Sequence, residues 1–464
     1  MNSGIITPGA LVLSINPLQH QPGDMIQCLN VANDQFGSKK KRNGYILYLG
    51  TPDNTQVNTL MNWRLNNGTQ FWNYRASGGT LYYSQQGTGA WTICGNGTLT
   101  AGTPVVNAVL ENTMLVSQDA GTTRHTTSGT SFTDTSAAPA AVAMVDYQNR
   151  IYAAGTSSSL FWSNVGTPSD WTNDSSSINI PGPGRLNVAM KVADRLITSK
   201  NSGVQHRWDG FSLVDISTNL GPTSFKSMGS VEDYRFYLNR LGIYGHGGIR
   251  PEIVSNAVEK QIYNDAEEGI AGTVFENAPG AVHQYQYHVG IGTVTDDLTD
   301  ETIADCILVN DFQTEEWTNW KFANRPYSFL SFRDNTDVQQ FIFGDNSGQC
   351  YQLAGTATTD NGAAIEVVMQ GIIHMNTLLD KKWNWYRAAF NPGCEAHIQV
   401  AVSNAFTKGK KNWMDLGDAT NGVVEYRFPS DSRGKFLYWR ITEASRFARF
   451  HFYGFEYDAD IIIK

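Results

Sequence analysis

Apolar and polar positions alternate with a period of two along most of this chain, in short runs separated by turns rich in Gly, Ser, Asn and Asp. Asn149-Arg150-Ile151-Tyr152-Ala153, Asp194-Arg195-Leu196-Ile197-Thr198 and Tyr234-Arg235-Phe236-Tyr237-Leu238 share a polar lead-in and an alternating strand. Such a strand packs one face and turns the other to solvent or to a neighbouring sheet. A longer phrase also returns: Leu81 to Gly87 running on to Trp91-Thr92, and Leu160 to Gly166 running on to Trp171-Thr172. The strand positions Leu81, Met114, Ile151, Leu196, Phe236, Tyr287 and Phe341 lie about 33 to 54 residues apart, a spacing that suits four-stranded propeller blades. The pattern predicts an all-β fold, a β-propeller of six to eight blades with about seven preferred. A solenoid or a pair of β-sandwiches competes, but their signals are tighter in period or lack the returning Trp.

Helical periodicity is nearly absent. The best helical stretch runs from Pro251 to Glu268, with Ile253, Val254, Val258 and Ile262. The texture changes near 354–366, where Ala354 to Gly362 is small and polar as a linker is. Strand-like runs follow at Ile365 to Met369, Trp383 to Phe390, His397 to Ser403, Val423 to Phe428, Lys435 to Thr442 and Phe450 to Tyr457. This divides the chain into an N-terminal arm or strand (1–40), a propeller (41–355) and a C-terminal β-sandwich (364–464).

Composition agrees with a large all-β protein: 464 residues, 41% hydrophobic, 12% aromatic and 44 Gly, enough for more than one core and for many tight turns. No run of about 18 apolar residues predicts a membrane span, and Met1 to Pro17 does not read as a secretory signal. Cys28, Cys94, Cys306, Cys350 and Cys394 are dispersed, with no CxxC pair and no His at ligand spacing. They read as buried free thiols of a protein made in a reducing cytoplasm.

No motif predicts catalysis, a cofactor or a metal. Ser117-Gln118-Asp119-Ala120-Gly121-Thr122-Thr123 approaches the Asp-box turn of propeller glycosidases, but that turn is structural and its Trp is replaced here. A glycosidase needs converging carboxylates, and Asp119, Asp209, Asp215, Glu315 and Glu316 are merely scattered along the sequence. His283 and His288, read as one extended strand, fall on opposite faces and disfavour a shared metal. His206 before Trp208-Asp209-Gly210 reads as a hairpin turn, Gly290-Ile291-Gly292 is no phosphate loop, and Trp383, Trp385 and Tyr386 read as core.

Four segments carry a family resemblance: Lys39-Lys40-Lys41-Arg42-Asn43-Gly44-Tyr45 after an extended lead, Ser202 to Gly210 followed by Ile216, Gly242 to Gly248 followed by Ile253-Val254-Ser255, and Gly434 to Ile441 leading into Arg449-Phe450-His451-Phe452. With these the chain resembles the β-propeller tail proteins of tailed bacteriophages, among them the tail-nozzle and packaged-DNA stabilisation proteins of short-tailed phages. It departs from the best-known members in blade lengths and in its first 40 residues. The resemblance implies a virion protein made in the host bacterial cytoplasm, forming a cyclic oligomer, commonly a hexamer, below the portal and adaptor rings. There it touches tail fibres or spikes, extends the channel for double-stranded DNA without reading its sequence, and helps retain and eject the genome.

The formal net charge of -9 suits a conduit that must not hold phosphates, and is also ordinary for a soluble protein. The basic run Lys39 to Arg42 reads first as a solvated turn and second as a DNA contact. Lys408, Lys410 and Lys411 read first as a hairpin tip. Trp413, Trp439, Arg446 and Lys410 are the candidate assembly contacts, with core packing the competing fate of each Trp. The other functional class is a propeller that binds or hydrolyses host-surface glycans, which would carry a carboxylate-bearing cavity.

Overall fold

The computed structural model describes residues 2–13, 20–21, 23–34, 37–50, 52–66, 68, 70–155, 157–172, 176–262, 272–296, 299, 301–375, 379–404, 411–419, 421–446 and 450–462. Within them, six antiparallel four-stranded units follow in chain order over 57–98, 105–134, 141–179, 186–217, 229–253 and 280–321. A seventh combines Ser328–Arg333, Gln339–Gly344 and Cys350–Leu353 with an early strand, Tyr45–Leu47. These are the blades of a seven-bladed propeller. Six of the seven strand positions picked out in the sequence are the second strand of a blade, from Met114 to Phe341. Leu81 instead lies in the third strand of blade one, because the second, Phe71–Ser77, is buried on both faces and shows no alternation.

Tight turns make the blades possible. In blades three, four and six the first two strands are joined by Gln148-Asn149, Ala193-Asp194 and Gln284-Tyr285, each with both φ values positive. That geometry is the hairpin turn whose twist matches the strands. The turn at Gln284-Tyr285 corrects the reading of His283 and His288 as one extended strand: they flank a hairpin and share one face, both rings lying against Phe341, at 5.2 and 4.9 Å between centroids.

Tyr45–Leu47 closes the ring by pairing antiparallel with Cys350–Leu353, Tyr45 opposite Leu353 and Leu47 opposite Tyr351. Tyr45 anchors it among Phe343, Tyr351 and Phe322, with ring centroids 4.9, 5.0 and 5.4 Å away.

The C-terminal residues form two sheets. Val367–Ile373, Phe436–Glu443, His397–Ser403 and Met414–Asp418 build one; Lys381–Phe390, Val423–Arg427 and His451–Ile461 belong to the other. The sheets share an apolar layer in which Trp439 meets Phe455 at 5.3 Å and Phe452 at 6.1 Å.

The first 40 residues do not form a separate arm. Met25–Leu29 lies between the outer strand of blade six, Glu316–Lys321, and Val367–Ile373, making one nine-stranded sheet that runs from propeller to C-terminal unit. Asn2–Ile6 and Lys39–Lys41 pair with His451–Ile461. Nor is 354–364 a free linker: Thr359–Asp360 pairs with Tyr45 and with Ala363–Ala364, and Gly44 donates its N–H to the Ala357 carbonyl.

The predicted helix starts as the outer strand of blade five, Pro251–Ile253, and becomes helical over Glu259–Ile262; residues 263–268 lie outside the described residues. Gly272–Asn277 forms a second short helix. No helix among the described residues is long and apolar enough to cross a membrane. All five cysteines are buried and unpaired, and burial pushes the Cys28, Cys94 and Cys350 thiols up to about 12.

Candidate functional site

The inner strands of the blades converge on the propeller axis and, with the segments leading into blades five and six, line a partly open cavity of about 270 Å³. Leu60, Val106, Met144, Phe225 and Phe329 give it apolar walls, while Asn58, Thr59, Asn107, Lys226 and Ser328 give it polar groups. Among the described residues no carboxylate lines it. Thr59 Oγ1 accepts the Val105 N–H, and Asn58 Oδ1 accepts from Gln56. Ser328 Oγ is buried and has no hydrogen-bond partner among the described residues.

Lys226 stands on a short 3₁₀ turn, Phe225–Ser227, between blades four and five. The turn is held rigidly. Ser224 Oγ accepts the Lys226 N–H at 3.2 Å; Ser227 Oγ donates to the Ser224 carbonyl at 3.0 Å and accepts the Leu238 N–H at 3.2 Å; Tyr287 donates its hydroxyl to the Ser227 carbonyl at 2.5 Å. Among the described residues no carboxylate pairs with Lys226, and removal from bulk water brings its pKa down to about 8. A second cavity, of about 240 Å³, shares Val106 and Phe225 with the first and holds the pair Arg185–Asp119, 2.7 Å apart.

The basic run is internal. Lys39, 1% exposed, reaches Glu316 of blade six at 2.5 Å. Lys41 reaches Glu443 of the C-terminal unit at 2.8 Å, and burial raises the pKa of that carboxyl even against the lysine's opposing charge. Arg42 grips Asp360 through two parallel bonds, 2.8 and 2.6 Å, and donates also to Asn30 Oδ1 and to the Lys321 and Asn43 carbonyls. Its guanidinium lies 4.7 Å from the Phe322 ring centre. Only Lys40 keeps substantial exposure, with a loose contact to Asp34 at 3.8 Å. The run is neither a solvated turn nor open to DNA; it clamps blade six, blade seven and the C-terminal unit together.

The candidate assembly residues separate. Trp439 is 1% exposed and belongs to the core between the C-terminal sheets. Trp413 is half-buried against the cluster of Ile26, Ile372 and Tyr438, next to Lys411, whose Nζ sits 4.7 Å from the Tyr438 ring centre. Arg446 is exposed, and Lys410 lies outside the described residues. Trp383 and Tyr386 are fully buried.

The carboxylates are spread over three blades: Asp119 on blade two, Asp209 and Asp215 on blade four, Glu315 and Glu316 on blade six. Asp119 sits in a turn of blade two beside Arg185; Asp215 lies 3.2 Å from His206 in blade four; Glu316 is bound by Lys39 in blade six. Asp209 accepts from the Phe211 and Ser212 amides and the Ser212 hydroxyl, which hold its pKa down to about 2. Among the described residues no group of His, Cys, Asp and Glu is placed to hold a metal ion. The central cavity has no signature in the sequence because each blade supplies only one to three of its residues; the one local signal is a lysine amid Phe225, Met228 and Gly229.

No family model matches the chain and no curated protein matches it. Among solved structures it is similar to YCF48 from Cyanidioschyzon merolae, at 9% identity over 67% of this chain and 98% of that one, with a TM-score of 0.43. It is similar also to the WD40 β-propeller domain of Doa1, at 9% identity over 67% and 97%, TM-score 0.44. BBS1N in complex with ARL6DN is similar at 10% identity over 68% and 99%, TM-score 0.43.

Proposed function

We propose that this protein is a non-catalytic structural component of a bacteriophage tail, a nozzle or hub subunit. It assembles as a cyclic oligomer, a hexamer by resemblance, around the path of double-stranded DNA below the portal and adaptor rings. The observation that carries the reading is the seam between propeller and C-terminal unit. One continuous sheet and three buried or half-buried ion pairs make the two a stiff block, and a ring wall under load needs stiff blocks. Internal use of the basic run also leaves few clustered cations to retain passing phosphates, in keeping with a net charge of -9. The phage identity itself rests on the sequence resemblance.

Head-to-tail contacts close into a ring when the rotation per subunit divides a full turn. In this reading Trp413 and Arg446, on the surface of the C-terminal unit, contribute to the contact between copies. Electron microscopy of the particle, with native mass spectrometry of the purified chain alone and with its partner rings, tests the proposal. Rings on the DNA axis are expected. Single copies at fibre tips away from that axis would overturn it in favour of host-surface binding.

A further inference from the structure

We propose that the central cavity of the propeller is a binding site for a small oxyanion of phosphate or sulfate size, held by the Lys226 ammonium with the Ser328 hydroxyl and the Asn107 amide. The proposal concerns this cavity alone and does not depend on the tail assignment.

Charge bookkeeping carries it. A cation taken out of bulk water is normally paired, because desolvation costs far more than an exposed charge loses. Every inward-turned cation of the basic run has its carboxylate here; Lys226 has none among the described residues. Ser328 Oγ, 4% exposed as a residue, also lacks a partner among them although it lines the same cavity. Unmet buried hydroxyls are uncommon and call for a partner that the protein itself does not supply. The polar lining offers donors from Lys226, Asn107, Ser328 and Thr59 with no acidic group among them, which selects an acceptor-rich anion and repels a cation. About 270 Å³ accommodates a tetrahedral oxyanion with some waters.

Pre-organisation adds to the case. The Ser224, Ser227 and Tyr287 hydrogen bonds fix the backbone of the lysine-bearing turn, so little backbone freedom is lost on binding.

The test is isothermal titration of the full chain at low ionic strength with inorganic phosphate, and separately with sulfate. One saturable site per chain is expected. Lys226→Met should weaken phosphate binding about 10- to 100-fold and Ser328→Ala by a smaller factor, while Lys40→Met, at an exposed position away from the cavity, should leave it unchanged. Lys226→Met should also lose the rise in Tm that phosphate gives the unsubstituted protein. Absence of saturable binding, or equal binding by Lys226→Met, overturns the proposal. On the unsubstituted protein, phosphate should slow acetylation of Lys226 by acetic anhydride, read by peptide mass spectrometry; an unchanged rate also overturns it.

Discussion

Arg42 and Asp360 stand 318 residues apart in the chain and meet as a fully desolvated two-pronged pair, Nη1–Oδ1 at 2.8 Å and Nη2–Oδ2 at 2.6 Å. The pair fastens the chain just before the ring-closing strand to the segment just after the last blade.

Because removing one partner of a buried pair strands the other charge, Arg42→Ala should destabilise the protein by about 3–5 kcal/mol. The double substitution Arg42→Met with Asp360→Leu should cost clearly less than either single change. Denaturant melts of the three variants check this. Limited proteolysis adds a local readout: 354–364 should resist cutting in the unsubstituted protein and become the first site cut in Arg42→Ala.

Ring closure hangs on a short strand. The bonds from Ala354 N–H to the Gly44 carbonyl and from Tyr48 N–H to the Cys350 carbonyl bracket Ile46, which lies opposite Gln352. In the alternating antiparallel pattern Ile46 therefore exchanges hydrogen bonds with that residue. Its side chain is half exposed, so Ile46→Pro removes a ladder bond with little loss of burial and should cost about 3 kcal/mol, whereas Ile46→Thr should be near neutral. Hydrogen exchange in blades one and seven should rise in the proline variant alone.

The histidine hairpin should contribute to acid sensitivity, as should His246, whose pKa burial also lowers to about 4. Burial lowers the His283 pKa to about 4 and the His288 pKa to about 3. Both are neutral in the folded protein, while the unfolded chain takes up protons as pH falls below about 6.5. Their stabilisation is therefore complete above that pH and is lost as pH drops from about 6.5 toward 4 for His283 and toward 3 for His288, by at most about 3 and about 5 kcal/mol respectively. Tm measured against pH should fall across this window, and the slope should flatten in His283→Gln. A slope unchanged in that variant would assign the sensitivity elsewhere.

The two tryptophans of the C-terminal unit should behave differently. Trp439→Ala empties the layer shared with Phe452 and Phe455 and should cost about 3–5 kcal/mol. Trp413→Ala should leave Tm within a few degrees while reducing ring formation, measured by native mass spectrometry.

The propeller is legible in the sequence because each blade is built from neighbours along the chain, so period and turn residues announce it. Met114, Ile151, Leu196 and Tyr287 mark second strands for the physical reason that the first hairpin of their blade is the tightest; Phe236 and Phe341 mark second strands of blades whose first two hairpins are equally long. What joins the blades to one another and to the C-terminal unit is not legible. Nothing local in Tyr45-Ile46-Leu47 names Cys350–Leu353 as its partner, and a Lys-Lys-Lys-Arg run looks solvated until Glu316, Glu443 and Asp360 arrive from remote elements. His283 and His288 look like one strand because the turn residues between them, Gln284 and Tyr285, carry no glycine or asparagine signal. The cavity around Lys226 is equally a product of closure.

The strand Tyr45–Leu47 also sets an order of events on the ribosome. Blades one to five can each close from contiguous chain as it emerges. Met25–Leu29 and Tyr45–Leu47 emerge before all of these, yet their partners in Glu316–Lys321, Val367–Ile373 and Cys350–Leu353 are made some three hundred residues later. At about 5–20 residues per second this is a wait of tens of seconds, during which two apolar strands remain without their native neighbours. The earliest part of the chain is thus the last to find its place, and prolonged exposure of those strands makes them the point at which synthesis competes with aggregation.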